Sequence, residues 1–304
     1  MKIRFRIYMM VLWFGMSLSA CAGLPGETGL PPVEKDRELG QEVVKQVGDQ
    51  IGIVKNARIT DYLNTVGRRL VRAHYDHRFD YVFHVLDQPQ PNAFAVPGGH
   101  VFVSRGLLAL ANNEDELANV MAHEIIHVSR RHSTRHMAKQ KVPNLLTLPG
   151  KMVGSVMGEG IGNMINAPIN TLGAAYLSKH SREDEFEADR LGQALTAQAG
   201  YDPQTLVNFL VRLQNQSQLH SGEKRGPGFF DTHPTTPDRV DRLTVAAQKI
   251  KWTREPGVVG DSAAFLYQMD GPAPTCRPPL MNCQYKLMML FATRIGTNTT
   301  MRSG

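Results

Sequence analysis

Two histidines four residues apart, with a glutamate directly after the first, constrain this chain more than any other feature: His123-Glu124-Ile125-Ile126-His127. They lie inside a strong helix pattern, because Asn113 followed by Glu116 is a capping-box signature that opens a helix from Glu114 to about His132. Residues four apart share a helical face, so both imidazoles can reach one metal ion while Glu124 projects beside them. Imidazole and carboxylate suit zinc, and a catalytic zinc needs only three protein ligands with a fourth position left for water. The metal lowers the pKa of that water, and a neighbouring carboxylate can remove its proton. His123 and His127 are therefore candidate metal ligands and Glu124 a candidate general base. The competing reading is a pair of satisfied histidines on a half-buried face.

A third ligand must come from elsewhere in the chain. A glycine and a further histidine shortly after the motif would give the metzincin arrangement, but Arg130 and Ser133 occupy those places. His132 follows His127 by five residues, which on a continuous helix turns it off the ligand face, so it reads as a supporting or surface residue. The stretch from Ser181 to Asp189 reads as another helix, on which Glu185 and Asp189 share a face. Glu185 is the best candidate for the third ligand. Asp189, one turn on, can accept the free N–H of a metal-bound histidine and fix its tautomer. Without the histidine motif, so dense a run of acids would read as a solvated helical face.

With 304 residues, 42% hydrophobic and 20% charged, the chain is an ordinary globular one rather than disordered or fibrous. Its formal charge is +6, and Lys2, Arg4 and Arg6 fall in a segment expected to be removed, which leaves too little positive charge to argue for nucleic acid. That segment has a basic start, an apolar run from Ile7 to Phe14 too short to span a membrane, and then Leu18-Ser19-Ala20-Cys21, which resembles the lipobox of bacterial lipoproteins. The expectation is a signal peptide over 1–20, a lipid on Cys21 and a Gly/Pro-rich tether over 21–34; a plain signal peptide with a chance cysteine is the alternative. The resemblance to such lipoproteins also implies sorting to the outer membrane, because Ala22 rather than aspartate follows the cysteine. Cys276 and Cys283 could pair in an oxidising compartment or remain free thiols.

Helical spacing marks about Lys35–Gln50 and Ile59–His74, and short β-type runs mark Tyr81–Leu86 and Val101–Val103. Pro149 to Leu177 is apolar but broken, and reads as a connector or, less simply, a membrane-dipping segment. Three helices then follow at Ser181 to about Ala199, Pro203–Leu219 and Pro237–Ile250. The expected fold is mainly α with a small β-sheet (α+β), with one domain over 35–255 and a tail of uncertain structure over 256–304.

Taken together, the His-Glu-Ile-Ile-His motif, the downstream Ser181–Asp189 stretch, Thr232-His233-Pro234 and the upstream Asn92–Gly99 stretch resemble metallopeptidase family 48, the HtpX and CAAX prenyl protease type, from about Leu39 to Ile250. The lipobox makes the chain most similar to the family's periplasmic lipoprotein branch. This resemblance implies a gluzincin, zincin-type metalloprotease domain built on the motif helix, one zinc ion (Zn2+) per chain, and hydrolysis of unstructured polypeptide. It also implies that His233 lies near the zinc, either capping it at rest or assisting the oxyanion. Arg182 and Arg239 read either as partners of the carboxylates or as exposed residues. Expected substrates are unfolded or misassembled polypeptides, including outer-membrane proteins, met at the periplasmic face of the outer membrane. Val101–Ser104, as an edge strand beside the cleft, would align them by backbone pairing. A chaperone-like assembly module with a plugged or structural zinc site is the rival reading, and zinc hydrolysis of a non-peptide substrate a third. Beyond Asp270 the chain departs from the family, whose members commonly carry a further folded module there.

Overall fold

Ile59, Leu63, Val66 and Leu70 recur at helical spacing, and burial of that stripe is what makes residues 57–73 a helix within the fold. The computed structural model describes residues 29–139, 180–219, 228–234, 236–260, and 264, 265 and 269. By internal contacts the chain divides into Met1–Pro31, of which only 29–31 are described, and Pro32–Gly304. The second unit contains helices α1 (Val33–Gln50) and α2 (Ala57–Ala73), strands β1 (Val82–Leu86), β2 (Ala93–Val96) and β3 (His100–Ser104), and helices α3 (Arg105–Leu110), α4 (Glu114–Ser129) and α5 (His132–Lys139). After the undescribed stretch come α6 (Arg182–Gln198), α7 (Thr205–Leu219), the short turn α8 (Phe229–Thr232) and α9 (Pro237–Lys249). The result is a mainly helical α+β domain with one small sheet among the described residues.

The sheet is mixed, in the order β1-β3-β2, with β1 parallel and β2 antiparallel to β3. This corrects the expectation for Val101–Ser104: β3 is the central strand, and β2 lies at the sheet edge. The error has a physical source. Asn92–Gly99 is rich in small residues and turn formers, so its strand propensity is weak, yet pairing with β3 makes Ala93–Val96 a strand by placing Phe94 opposite Phe102. Their rings stack with centroids 4.9 Å apart. The motif helix α4 packs on β2 and β3 and makes its most extensive contact with α6.

Every residue of α4 is buried, so its ends require dedicated partners. Asn113 Oδ1 accepts from the Glu116 N–H at 2.9 Å, while the Glu116 carboxylate reaches back to the Asn112 N–H at 2.8 Å, one residue before the cap. The acids of the first turn suit the positive end of the helix dipole, and each has a partner: Glu114 the hydroxyls of Tyr62 and Tyr201, Asp115 the Arg254 guanidinium, Glu116 that of Arg212. At the other end α4 stops at Ser129, earlier than expected. Arg131 takes a left-handed backbone (φ 53°), a strained conformation for a residue that carries a Cβ, and a second helix, α5, starts at His132. A buried ion pair holds that turn: Arg131 Nε lies 2.7 Å from Oδ2 of Asp36, on α1.

Phe265 and Met269, both within the expected tail, are buried in the core, with the Phe265 ring 6.2 Å from Tyr62. Residues 1–20, Cys21, Pro149–Leu177, Cys276 and Cys283 lie outside the described residues. Among the described residues no helix is long and apolar enough to cross a membrane.

Gly192 sets how closely α6 approaches α4. A Cβ added there would come within 3.2 Å of the His123 backbone N and Cα. Gly192→Leu is therefore expected to lower stability by about 1–3 kcal/mol, measured by thermal or denaturant unfolding, with Gly192→Ala milder. Unchanged stability in the leucine variant would contradict the close helix approach.

Candidate metal centre

The close packing of α4 against α6 brings the expected site residues together. His123 and His127 project from one face of α4, Glu185 comes from the first turn of α6, and His233 from the turn after α8. One ligand atom from each of the four lies within 4.8 Å of the others. His127 Nε2 is 2.9 Å from His123 Nε2, and His233 Nδ1 is 3.3 Å from His123 Nε2 and 3.0 Å from Glu185 Oε1. Glu185 Oε1 is also 3.4 Å from His127 Nε2. Glu124 points at the same point from beside the two histidines: its Oε1 is 3.3 Å from the other nitrogen of His233, Nε2.

The positions behind these groups are equally ordered. Asp189 Oδ1 sits 3.0 Å from His123 Nδ1, the ring nitrogen not turned to the cluster. Arg239 is almost completely buried and forks onto Asp189 at 2.7 and 2.8 Å, while its Nη1 reaches Glu185 Oε2 at 2.7 Å and the Pro234 carbonyl at 3.3 Å. One guanidinium thus fixes two carboxylates of α6 and the backbone that carries His233. Arg182, by contrast, is exposed at the first position of α6. His233 is itself held by stacking on Phe229, centroids 4.5 Å apart, and by its N–H donating to the Phe229 carbonyl at 2.9 Å.

Two histidines join the cluster beyond those expected at the metal. His132 is fully buried against His127. His180 lies over the His127 ring, centroids 4.0 Å apart, with its N–H donating to the Thr232 carbonyl at 3.2 Å. No periodicity or spacing marks His180. The strained turn that repositions His132 is likewise invisible in the local pattern.

These residues fit a divalent cation. Three ring nitrogens and a carboxylate oxygen converge with their lone pairs on one small volume, an arrangement that is repulsive unless protons or a cation lie between them. With Glu124 ionised and the histidines neutral, as they must be to donate to a metal, the buried charges are also unbalanced: Glu124, Glu185 and Asp189 face one buried guanidinium, Arg239, and two positive charges would neutralise them. Neither oxygen of Glu124 has a hydrogen-bond partner among the described residues, although the side chain is wholly buried.

Electrostatics separates the roles of the acids. Burial drives the Glu124 carboxyl above its ordinary range, and the nearby His233 and His123 only partly oppose this. Burial would raise Glu185 too, but His233, His123 and His127 around it hold it well below the ordinary value. Asp189 is lowered in the same way: burial pushes it up, and Arg239 and His123 together outweigh that. His127 is driven well below the ordinary imidazole value, by burial first and then by His180, and so stays neutral and able to donate a lone pair.

Comparison with known proteins gives an independent line. The model of Peptidase family M48 matches residues 57–247. The chain is 32% identical to the beta-barrel assembly-enhancing protease of Yersinia pestis over 72% of its own length and 45% of that protein. It is 30% identical to the beta-barrel assembly-enhancing protease of Escherichia coli (strain K12) over 77% of its length and 47% of that protein. It is also 29% identical to the mitochondrial metalloendopeptidase OMA1 of Schizosaccharomyces pombe, over 67% of its length and 57% of that protein. The chain thus spans about half the length of the relatives it matches.

The metal-free cluster carries a pH signature. Burial alone would lower the pKa of His123, but the Asp189 and Glu185 carboxylates more than reverse this and raise it from 6.5 to about 9. Because the folded value exceeds the unfolded one, protonated His123 stabilises the metal-free fold fully below pH 6.5, and that contribution is lost as pH rises through about 9. A cation must displace the same proton, so zinc affinity is expected to rise across this window, by up to roughly tenfold per pH unit. Chelator competition at the two ends of the window measures it, and a flat affinity would contradict the placement of His123.

Proposed function

The chain belongs to peptidase family M48, and from that membership and the geometry of its buried cluster we propose that it is a zinc-dependent endopeptidase acting on unfolded or misassembled polypeptides at the bacterial outer membrane. The observation that carries this reading is the convergence of His123, His127, Glu185 and His233 within 4.8 Å, with Glu124 beside them. In this reading His123, His127 and Glu185 hold one zinc ion. Bound there, the metal supplies Lewis acidity that makes a carbonyl easier to attack and a water molecule easier to deprotonate. Glu124, whose proton affinity is raised by burial, takes the proton from the attacking water and returns it to the departing amine. Asp189 accepts from His123 Nδ1–H and keeps Nε2 as the donor to the metal.

His233 has two hands in this arrangement. Its Nδ1 completes the four-donor set, and its Nε2 faces the general base. The conformation described is then a resting one, in which a single side chain occupies both the fourth position and the partner of Glu124. Moving His233 aside would open the site to water and free the base; swung away from Nδ1 contact, the same imidazole could donate to the oxyanion.

An extended polypeptide could pair with β2 at the sheet edge above α4, which would demand little sequence from the substrate. The names of the bacterial relatives, beta-barrel assembly-enhancing proteases, favour outer-membrane polypeptides as the substrate class. A lipid on Cys21 would hold the domain at the periplasmic face of that membrane. The rival reading is an assembly module that binds such polypeptides with a permanently closed site, and the position of His233 is what favours it, since closed zinc sites are structural and open ones catalytic.

Glu124→Gln is expected to retain zinc and lose cleavage of an unfolded protein such as casein by roughly 100- to 10,000-fold, followed by gel assay and metal analysis. Cleavage at the parental rate would defeat the assignment of Glu124. His233→Ala is expected to raise proteolysis; persistent inactivity in that variant, with zinc bound, would favour the assembly module.

A further inference from the structure

His132 is a wholly buried histidine that the proposed mechanism does not use. On an unbroken helix it would sit roughly 140° around the axis from His127 and miss the cluster. The left-handed turn at Arg131 changes this. It starts α5 in a new direction, and His132, the first residue of α5, brings its Nδ1 to 2.8 Å from His127 Nδ1. Its other nitrogen, Nε2, lies 3.2 Å from Glu187 Oε2 on α6. Glu187 is in turn held by Arg130, 3.0 Å from Oε1, and by Arg135, 3.4 Å from Oε2.

We propose that His132, aimed by the Arg131 turn and backed by Glu187, is the positioning residue for His127 at the metal centre. This rests on the reading that His123, His127 and Glu185 hold a metal. The proton positions follow from that reading without a free choice. A neutral His127 that donates its Nε2 lone pair to a cation carries its proton on Nδ1. That N–H can only be accepted by an unprotonated His132 Nδ1, so His132 carries its proton on Nε2 and donates it to the Glu187 carboxylate. The chain of donors runs from His127 to His132 to Glu187, and it ends on a carboxylate neutralised by two guanidinium groups. His123 has the simpler counterpart, Asp189 backed by Arg239. Each proposed histidine ligand therefore has its own acceptor, and the two acceptors come from different elements: α6 for His123, the start of α5 for His127.

The support extends to α1. Arg131 pairs with Asp36 at 2.7 and 3.1 Å, and Thr134 Oγ1 donates to the same carboxylate at 3.1 Å. The strained turn that aims His132 is thus pinned by α1, which contributes no residue to the metal cluster itself.

The test is zinc affinity of the purified full chain, by chelator competition, for the parent, His132→Phe, His132→Gln and Glu187→Ala, alongside the melting temperature of each metal-free protein. Phenylalanine keeps the bulk and removes the acceptor, so zinc binding is expected to weaken by roughly 10- to 100-fold. Glutamine can still accept and is expected to recover most of that loss. A folded His132→Phe with parental zinc affinity overturns the proposal, as does a drop in melting temperature shared by both His132 variants with zinc affinity intact, which marks a packing role. If His132→Phe does not fold, Glu187→Ala decides, because that side chain is 27% exposed: several-fold weaker zinc binding supports the donor chain, and unchanged binding overturns it. A parent chain that takes up no zinc would instead sink the metal reading on which the proposal stands.

Discussion

The close contact between α4 and α6 is the constraint on which the rest of the structure depends. It forces Glu185 and Asp189 into a volume already occupied by His123, His127 and Glu124, and a buried acid without compensation is among the most costly things a fold can contain. The compensation is specific. Arg239 neutralises part of the charge and fastens the backbone of His233, and the remaining imbalance is what a divalent cation would remove. The absence of a side chain at Gly192 makes the approach possible, since the His123 backbone lies where a Cβ would press.

The remainder of the domain keeps α4 in register with its partners. The helix has no exposed face on which to drift, and the three acids of its first turn are tied to α2, α7 and the segments around Tyr201 and Arg254. Its far end is tied to α1 through Arg131 and Asp36. Both termini are thus fixed to elements distant in sequence, which is what a site built from His123 and His127 needs if their imidazoles are to hold position without relying on rotamer preference alone. His233 is supplied differently, from a short turn that stacks on Phe229 and whose backbone Arg239 ties to α9.

Much of this was legible in the sequence because its signals are local. The capping residues at Asn113, the five-residue histidine motif and the face shared by Glu185 and Asp189 each follow from helical geometry alone, and the helix bounds fall within a few residues of those expected. What escaped was set by tertiary pairing. Ala93–Val96 becomes a strand only because β3 is there to pair with it, which puts Val101–Ser104 at the centre of the sheet rather than at its edge. Arg131 breaks the motif helix because a carboxylate 95 positions earlier in the chain reaches it, and nothing near Arg131 announces that. Arg239 could be read equally as exposed or as a carboxylate partner until α9 was placed against α6. His180 carries no spacing at all. Phe265 and Met269 lie in a stretch without periodicity, and their burial depends on contacts with the core, such as that of Phe265 with Tyr62, that the tail sequence cannot reveal.

The central claim is that one divalent cation is held jointly by α4, α6 and the His233 turn. Zinc-edge X-ray absorption on the purified protein tests it most directly. The account predicts about one zinc per chain with a first coordination shell of three nitrogens and one oxygen at roughly 2.0–2.2 Å, and loss of one nitrogen with gain of a solvent oxygen in His233→Ala. Zinc bound through sulfur, or a shell that His233→Ala and Glu185→Ala both leave unchanged, would contradict it.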